Sequence, residues 1–348
     1  MGVKSIKDFN VKDKKVLVRC DFNVPLDVAG GILDDFRILA ALPTIKYLIE
    51  KKAKVILMSH LDPEDTLFVN PKFSLQPVAK KLSEILGVEV AITDDCIGQD
   101  AEKKVGELNG GQVLLLENLR FHMGESQNSD EFAKNLSALG KIYINEAFSV
   151  CHRTHASIVG VPKYLPHGAG LLLEKEIENL SKILKNPKRP LVAVIGGKKA
   201  GTKAKFIENI SEIADAVIVG GLIKKEIEEE KITFENPKKI ISPVNDLQAL
   251  DIDEKTIEIF KEKILKAKTI IWNGPFGRFE DENFKNGTLK IAKAIVESKA
   301  FSVVGGGQTV EFLRKEGMID QFSHVSTGGG AMLDYLSGEK LPGIEALK

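Results

Sequence analysis

Short runs of valine, isoleucine and leucine recur along this 348-residue chain, and the way they end divides it in two. Val192-Ala-Val-Ile-Gly-Gly197, Ala216-Val-Ile-Val-Gly-Gly221, Thr269-Ile-Ile-Trp-Asn-Gly-Pro275 and Phe301-Ser-Val-Val-Gly-Gly-Gly307 stop at glycines. Val16-Leu-Val-Arg-Cys-Asp-Phe-Asn23, Val55-Ile-Leu-Met-Ser-His60, Val113-Leu-Leu-Leu-Glu-Asn-Leu-Arg-Phe-His122 and Ile142-Tyr-Ile-Asn-Glu146 stop at polar or charged side chains. The runs show little polar alternation, as expected of strands covered on both faces. Helical periodicity separates them, over Leu39 to Lys51, Pro77 to Leu86, Ser129 to Leu139, Lys255 to Leu265 and Leu289 to Glu297. Strand alternating with helix predicts parallel sheets built from right-handed crossovers. Open α/β sheets bind ligands beyond the carboxyl ends of their strands. Two kinds of strand end therefore predict two kinds of site: one gripping a small anion with side chains, the other laying a larger ligand on bare backbone.

The length exceeds what one hydrophobic core usually serves. The expected fold is α/β, with two Rossmann-like lobes of parallel sheet joined by a long helix and a hinge. The boundaries expected are 1–168 for the first lobe, 169–188 for the connecting helix and 189–330 for the second lobe. The tail, 331–348, is expected to return to the first. Asn186-Pro-Lys-Arg-Pro190 ends the amphipathic stretch from Leu171, and the glycines of Ser326-Thr-Gly-Gly-Gly-Ala331 suit a hinge.

The formal net charge is zero, which argues against a broad nucleic-acid or membrane footprint. Cys20, Cys96 and Cys151 lack metal-type spacing and read as free thiols of a reducing compartment. No signal-peptide pattern opens the chain and no apolar run reaches transmembrane length. The expectation is a cytoplasmic monomer with no nucleic-acid or membrane partner.

The first-half strand exits deliver Arg19, Asp21, Asn23, Arg37, His60, Arg120, His122, Arg153 and His155. Arginine captures carboxylate or phosphate in bidentate fashion, so its recurrence suits a small polyanion. Without a supporting Cys or carboxylate cluster, His60, His152 and His155 read as hydrogen-bonding or core groups rather than metal ligands. In the second half, glycine turns favour nucleotide phosphate held by backbone N–H groups. Gly196-Gly-Lys-Lys-Ala-Gly-Thr-Lys203 has Gly-Thr-Lys where a P-loop needs Gly-Lys-Thr, so the Walker reading fails.

Arg19-Cys-Asp-Phe-Asn-Val-Pro25, Met58-Ser-His-Leu61, Leu116-Glu-Asn-Leu-Arg-Phe-His122, His152-Arg-Thr-His-Ala-Ser157, Trp272-Asn-Gly-Pro275, Gly305-Gly-Gly307 and Ser323-His-Val-Ser-Thr-Gly-Gly-Gly330 follow one another along the chain. In this order they resemble the phosphoglycerate kinase family. The resemblance implies a bilobal kinase moving phosphate between 1,3-bisphosphoglycerate and ADP, giving 3-phosphoglycerate and ATP in glycolysis, with Mg²⁺ accompanying the nucleotide. It implies that Asp21, Asn23, Arg37, His60, Arg120 and Arg153 hold 3-phosphoglycerate. Arg37 and Lys199 would stabilise the moving phosphoryl group. Lys199, Lys203, Glu280, Gly305, Gly306, Gly307, Gln308 and Thr309 would hold ADP or ATP.

The chain departs from the family pattern at several points. Asp62-Pro-Glu64 replaces a Gly-Arg-Pro, so one substrate arginine is missing. Glu146 stands for an Asp, Gly201-Thr-Lys203 for a Ser-Asp-Lys, Asp253-Glu254 for a Gly-Pro, and Asn245 for an Asp. Gln308 stands where the family carries the Asp that serves magnesium, and a neutral amide is the weaker ligand for a hard cation. The segment 221–242 is shorter than the family pattern, so a helix and neighbouring strand beside the nucleotide are expected to be trimmed. These departures keep a second reading open: a catalytically impaired member acting as a phospho-acid or protein binding module.

Overall fold

The computed structural model describes residues 2–61, 70–197, 200–244 and 249–348. Two compact units form, Met1–Glu176 with Lys340–Lys348, and Ile177–Glu339. The first sheet contains β1 (Lys15–Arg19), β2 (Lys54–Met58), β3 (Val90–Ile92), β4 (Val113–Leu115), β5 (Ile142–Asn145) and β6 (His167–Ala169), in the order β3-β4-β2-β1-β5-β6. The second contains β7 (Leu191–Ile195), β8 (Ala216–Val219), β9 (Ile240–Ile241), β10 (Thr269–Asn273), β11 (Phe301–Gly305) and β12 (His324–Val325), in the order β12-β11-β10-β7-β8-β9. Every strand pair is parallel, with Val16 opposite both Val55 and Ile142, and Ile271 opposite both Ala193 and Val303. The strand order reverses at β1 in one sheet and at β7 in the other. Their exits are therefore the topological switch points where such sheets open a crevice.

Before the junction the first unit carries α1 (Phe36–Glu50), α2 (Gln76–Leu86), α3 (Gln99–Glu107), α4 (Met123–Ser126) and α5 (Asp130–Ala138). Next come α6 (Leu171–Lys185), α7 (Ala200–Ile213), α8 (Gly221–Glu229), α9 (Glu254–Lys266), α10 (Asn286–Ser298), α11 (Gly307–Lys315), α12 (Gly329–Leu336) and α13 (Pro342–Glu345). Local chemistry fixes several ends. Ser129 and Asp253 cap α5 and α9 by accepting from Phe132 N–H and Thr256 N–H. Gly87, in the left-handed region at φ 66°, closes α2.

The strands of each unit bury their faces under these helices. Val16, Val18, Val55, Leu57 and Ile144 pack against Ile38, Ile45 and Leu48 of α1. Val192, Val194, Ile270 and Trp272 pack against Phe260 of α9 and Ile291 of α10. The start of the returning segment differs from expectation. The division between units falls inside α6, and α12 belongs to the second unit, so the returning segment begins at Lys340 rather than at 331. The segment 221–242 forms a nine-residue helix, α8, and a two-residue strand, β9. No described helix is long and apolar enough to cross a membrane.

Candidate active site

At the exit of β1 the chain turns a row of polar side chains toward one point. Asp21 is 6% exposed and is held from several sides. The Ser149 hydroxyl and the Asn23 N–H donate to it, and Arg37 Nη1 lies 3.0 Å from one of its oxygens and 3.3 Å from the other. Arg37 Nη1 also donates to the Asn23 carbonyl at 3.0 Å. Burial alone would raise the Asp21 carboxyl, but the Arg37 guanidinium, His60 and the hydrogen bonds outweigh it and bring it down to about 2. Asp21 is thus an anion at any physiological pH. It leaves Arg37, 34% exposed along its side chain, aimed and partly neutralised.

His60 lies behind this pair and is 2% exposed. Burial drives its imidazole well below the usual range, and Arg19, Arg120 and Arg37 push the same way against Asp21. His155 is likewise lowered, to about 4, by burial and by Arg19, Arg120 and Arg153. The structure thus brings Asp21, Asn23, Arg37 and His60 into contact, with the field of Arg120 reaching both histidines and that of Arg153 reaching His155. Arg37 lies in the first turn of α1, Arg120 in a 3-10 turn Leu119–Phe121 and Arg153 in the loop after a 3-10 turn Phe148–Val150, rather than on the strands themselves.

Arg19, expected among the anion-gripping arginines of the strand exits, lies instead in a layer beneath the site. Arg19, the last residue of β1, is fully buried and donates Nε to Ser157 Oγ at 2.7 Å. Its Nη2 lies 3.3 Å from His60 Nδ1 and 3.7 Å from Glu125 Oε1. Glu125, also fully buried, accepts from Ser157 N–H and Oγ–H at 2.8 and 2.5 Å. A second cluster was not foreseen: Asp95, Cys96 and His122 place possible ligand atoms within 4.8 Å of one another. His122 Nε2 and Asp95 Oδ1 are 2.6 Å apart, however. Two ligands of one tetrahedral ion with bonds near 2.0 Å stand about 3.3 Å apart, so this is a hydrogen-bonded knot.

The second sheet ends differently. Gly196, just beyond β7, and Gly274, just beyond β10, meet backbone to backbone. A Cβ on Gly274 would lie 2.1 Å from Gly196 O, and one on Gly196 would lie 2.2 Å from Pro275 O. Gly274 N–H donates to Thr309 Oγ1 at 2.8 Å, and Trp272 Nε1 donates to Gly274 O at 2.9 Å, which ties the turn to α11. Gly305 ends β11, Gly306 caps α11 at φ 98°, and Gly307, Gln308 and Thr309 form its first turn. Gly307 and Gln308 are exposed and Thr309 is buried. Gln308 Nε2 donates to exposed Glu280 Oε1 at 3.2 Å.

Lys203 in α7 donates to Gly196 O, and burial pulls its ammonium down to about 8 against the nearby Glu226. Lys198, Lys199 and Asn245, and the 62–64 segment, lie outside the described residues. Among the described residues, no group of three ligand side chains occurs in this unit. A magnesium ion fits here only as one carried by phosphate oxygens, with Glu280 and the neutral oxygen of Gln308 as exposed side-chain oxygens beside the glycine turn.

Fold and exits together define a two-unit parallel α/β protein, with a charged switch point in one unit and a glycine-built one in the other. The family model described as phosphoglycerate kinase matches residues 6–227 and 223–339. Phosphoglycerate kinase of Dictyoglomus turgidum is 43% identical over 392 residues, covering 99% of this chain and 98% of that protein. That of Borrelia hermsii is 42% identical over 394 residues, covering 100% of both. Among solved structures, phosphoglycerate kinase from Pyrococcus horikoshii superimposes with a TM-score of 0.89 at 34% identity, covering 100% of this chain and 98% of that one. That from Coxiella burnetii gives 0.83 at 36% identity, covering 99% and 98%. The chain belongs to the phosphoglycerate kinase family.

Proposed function

We propose that the protein catalyses reversible phosphoryl transfer between 1,3-bisphosphoglycerate and ADP, as a cytoplasmic monomer. The observation that carries this reading is the Arg37–Asp21–His60 group at the switch point of β1, in a chain matched to the family from end to end. In this reading the first unit takes the acid substrate. Asp21, Asn23, His60, Arg120 and Arg153 hold 3-phosphoglycerate, and Arg37 meets the transferring group. A loose phosphoryl transition state gains from fixed positive charge and alignment more than from covalent help. Asp21 supports this by holding Arg37 in place before substrate arrives.

The second unit takes the nucleotide. The first turn of α11, with Gly305, Gly306, Gly307, Gln308 and Thr309, offers helix N–H groups to phosphate. Lys203 and Lys199 add cations, and Glu280 is fastened to Gln308. Magnesium, when bound with the nucleotide, supplies positive charge to the phosphate oxygens. The close packing of Gly196 on Gly274 joins the exits of β7 and β10 through main chain alone. A coupled assay with purified protein, ADP, magnesium and 1,3-bisphosphoglycerate tests the reading. Turnover that Arg37→Ala lowers by roughly 100-fold or more is expected; a folded protein with no turnover would sink it.

A further inference from the structure

His60 faces a donor on one side and an acceptor on the other. Arg19 Nη2 lies 3.3 Å from its Nδ1, and Asp21 Oδ1 lies 3.9 Å from its Nε2. A guanidinium carries only N–H groups and stays charged, so at the first contact Nδ1 must accept. An imidazole that accepts at Nδ1 carries its single proton on Nε2. That proton points toward the ionised carboxylate of Asp21, at a separation too long for a direct hydrogen bond but open to a third oxygen. Both neighbours select the same tautomer.

Arg19 is itself held. It gives Nε to Ser157 Oγ and Nη1 to Cys20 O, and Glu125 stands 3.7 Å from its Nη2. Glu125 is in turn pinned by both donors of Ser157. Every member of this layer is buried. We propose that Arg19 is a positioning residue: anchored by Glu125 and Ser157, it fixes His60 as the Nε2–H tautomer, so that His60 offers the bound phospho-acid a hydrogen-bond donor rather than a lone pair. This rests on the reading that His60 touches the acid substrate.

The test is ¹⁵N NMR of the protein's six histidines, with His60 assigned by its loss in His60→Gln. The wild-type protein should show His60 as Nε2–H across pH 6 to 8. An imidazolium or an Nδ1–H form would overturn the proposal. Removing one charge of a buried pair strands the other, so the pair is removed together in Arg19→Met/Glu125→Gln. His60 should then become a tautomer mixture. KM for 3-phosphoglycerate should rise by the inverse of the remaining Nε2–H fraction, about twofold at an even mixture. KM for ATP should stay unchanged. An unchanged tautomer, or an unchanged KM for the acid, sinks the proposal. Arg19→Lys keeps a cation beside Glu125 and serves where the double variant does not fold. Its compact ammonium cannot serve Ser157, Cys20 and His60 together, and the same two readouts decide. If His60→Gln leaves KM for the acid unchanged, the site reading fails instead; if His60→Gln raises it while the Arg19 variants leave the tautomer alone, only this inference fails.

Discussion

The exits of β1 and β7 occupy equivalent places in their two sheets, yet they are built from opposite materials. At β1 the crevice is lined by long charged side chains, and each needs a partner before the ligand comes. Asp21 aligns Arg37, Arg19 backs His60, and Glu125 backs Arg19. At β7 the crevice is lined by main chain, and what it requires is the absence of atoms. Gly196 and Gly274 touch through backbone alone, and Gly306 lies against Gly329 in the same manner. A charged site is specified by pre-paid electrostatics, because a cation left unpaired in a buried setting is costly. A backbone site is specified by sterics, and its errors are collisions rather than lost attractions.

That contrast ranks the expected effects of substitution. The largest belongs to the backbone exit. Gly274 has φ 93°, and a methyl there would sit 2.1 Å from the Gly196 carbonyl oxygen with only backbone able to yield. Gly274→Ala should destabilise the second unit by on the order of 4 kcal/mol or more. Denaturant unfolding of the purified variant checks this, and a wild-type midpoint would show that this turn can open. At the charged exit, Arg37→Ala should leave the melting temperature within a few degrees, since the side chain is 34% exposed. It should lower kcat/KM roughly 100- to 1,000-fold. A large fall in stability with intact turnover would reverse the comparison.

Two smaller effects sharpen it. Lys203 is the one described cation held at the glycine exit by burial, at about 8 instead of its usual value. Bound phosphate raises that value. Below pH 8 the free enzyme already carries the proton, and nucleotide affinity should be flat. Above pH 8 binding must take a proton up, and affinity should fall about tenfold per pH unit. Titration calorimetry from pH 7 to 9.5 checks the slope, which Lys203→Met should abolish. The smallest effect concerns Gln308. Gln308→Asp exchanges the donor to Glu280 for a second carboxylate, so magnesium–ADP should bind about threefold tighter while ADP alone binds more weakly. Equal responses with and without metal would show that position 308 does not face the ion.

What was legible in the sequence follows the same division. The central strands were readable because buried Val, Ile and Leu dominate each of them, and the helices between them matched their periodicity to within a few positions. β3, β6, β9 and β12 were not, because each has two or three residues and takes its strand character from the neighbour it pairs with. Asp21, Asn23 and His60 were readable because they follow strand ends directly. Glu125 and Ser157 were not. Their link to Arg19 spans over a hundred residues, and nothing in Met123-Gly-Glu-Ser126 marks that glutamate as fully buried. The Asp95–His122 contact is illegible for the same reason. Spacing betrays local geometry; partnerships between distant turns need the fold.

The segment Lys340–Lys348 completes the first unit after the whole second unit has intervened in the chain. Gly343 N–H donates to Cys151 O at 2.8 Å, and Leu341 and Leu347 are each 2% exposed in this seat. Synthesis runs in the other direction from this architecture. As the chain leaves the ribosome, the first unit is begun first and finished last, while residues 177–339 emerge entire. Domains tend to fold as units in the order they appear. Here the earlier unit must wait with an apolar groove uncovered, and its last hydrogen bonds close only once translation has moved past residue 343.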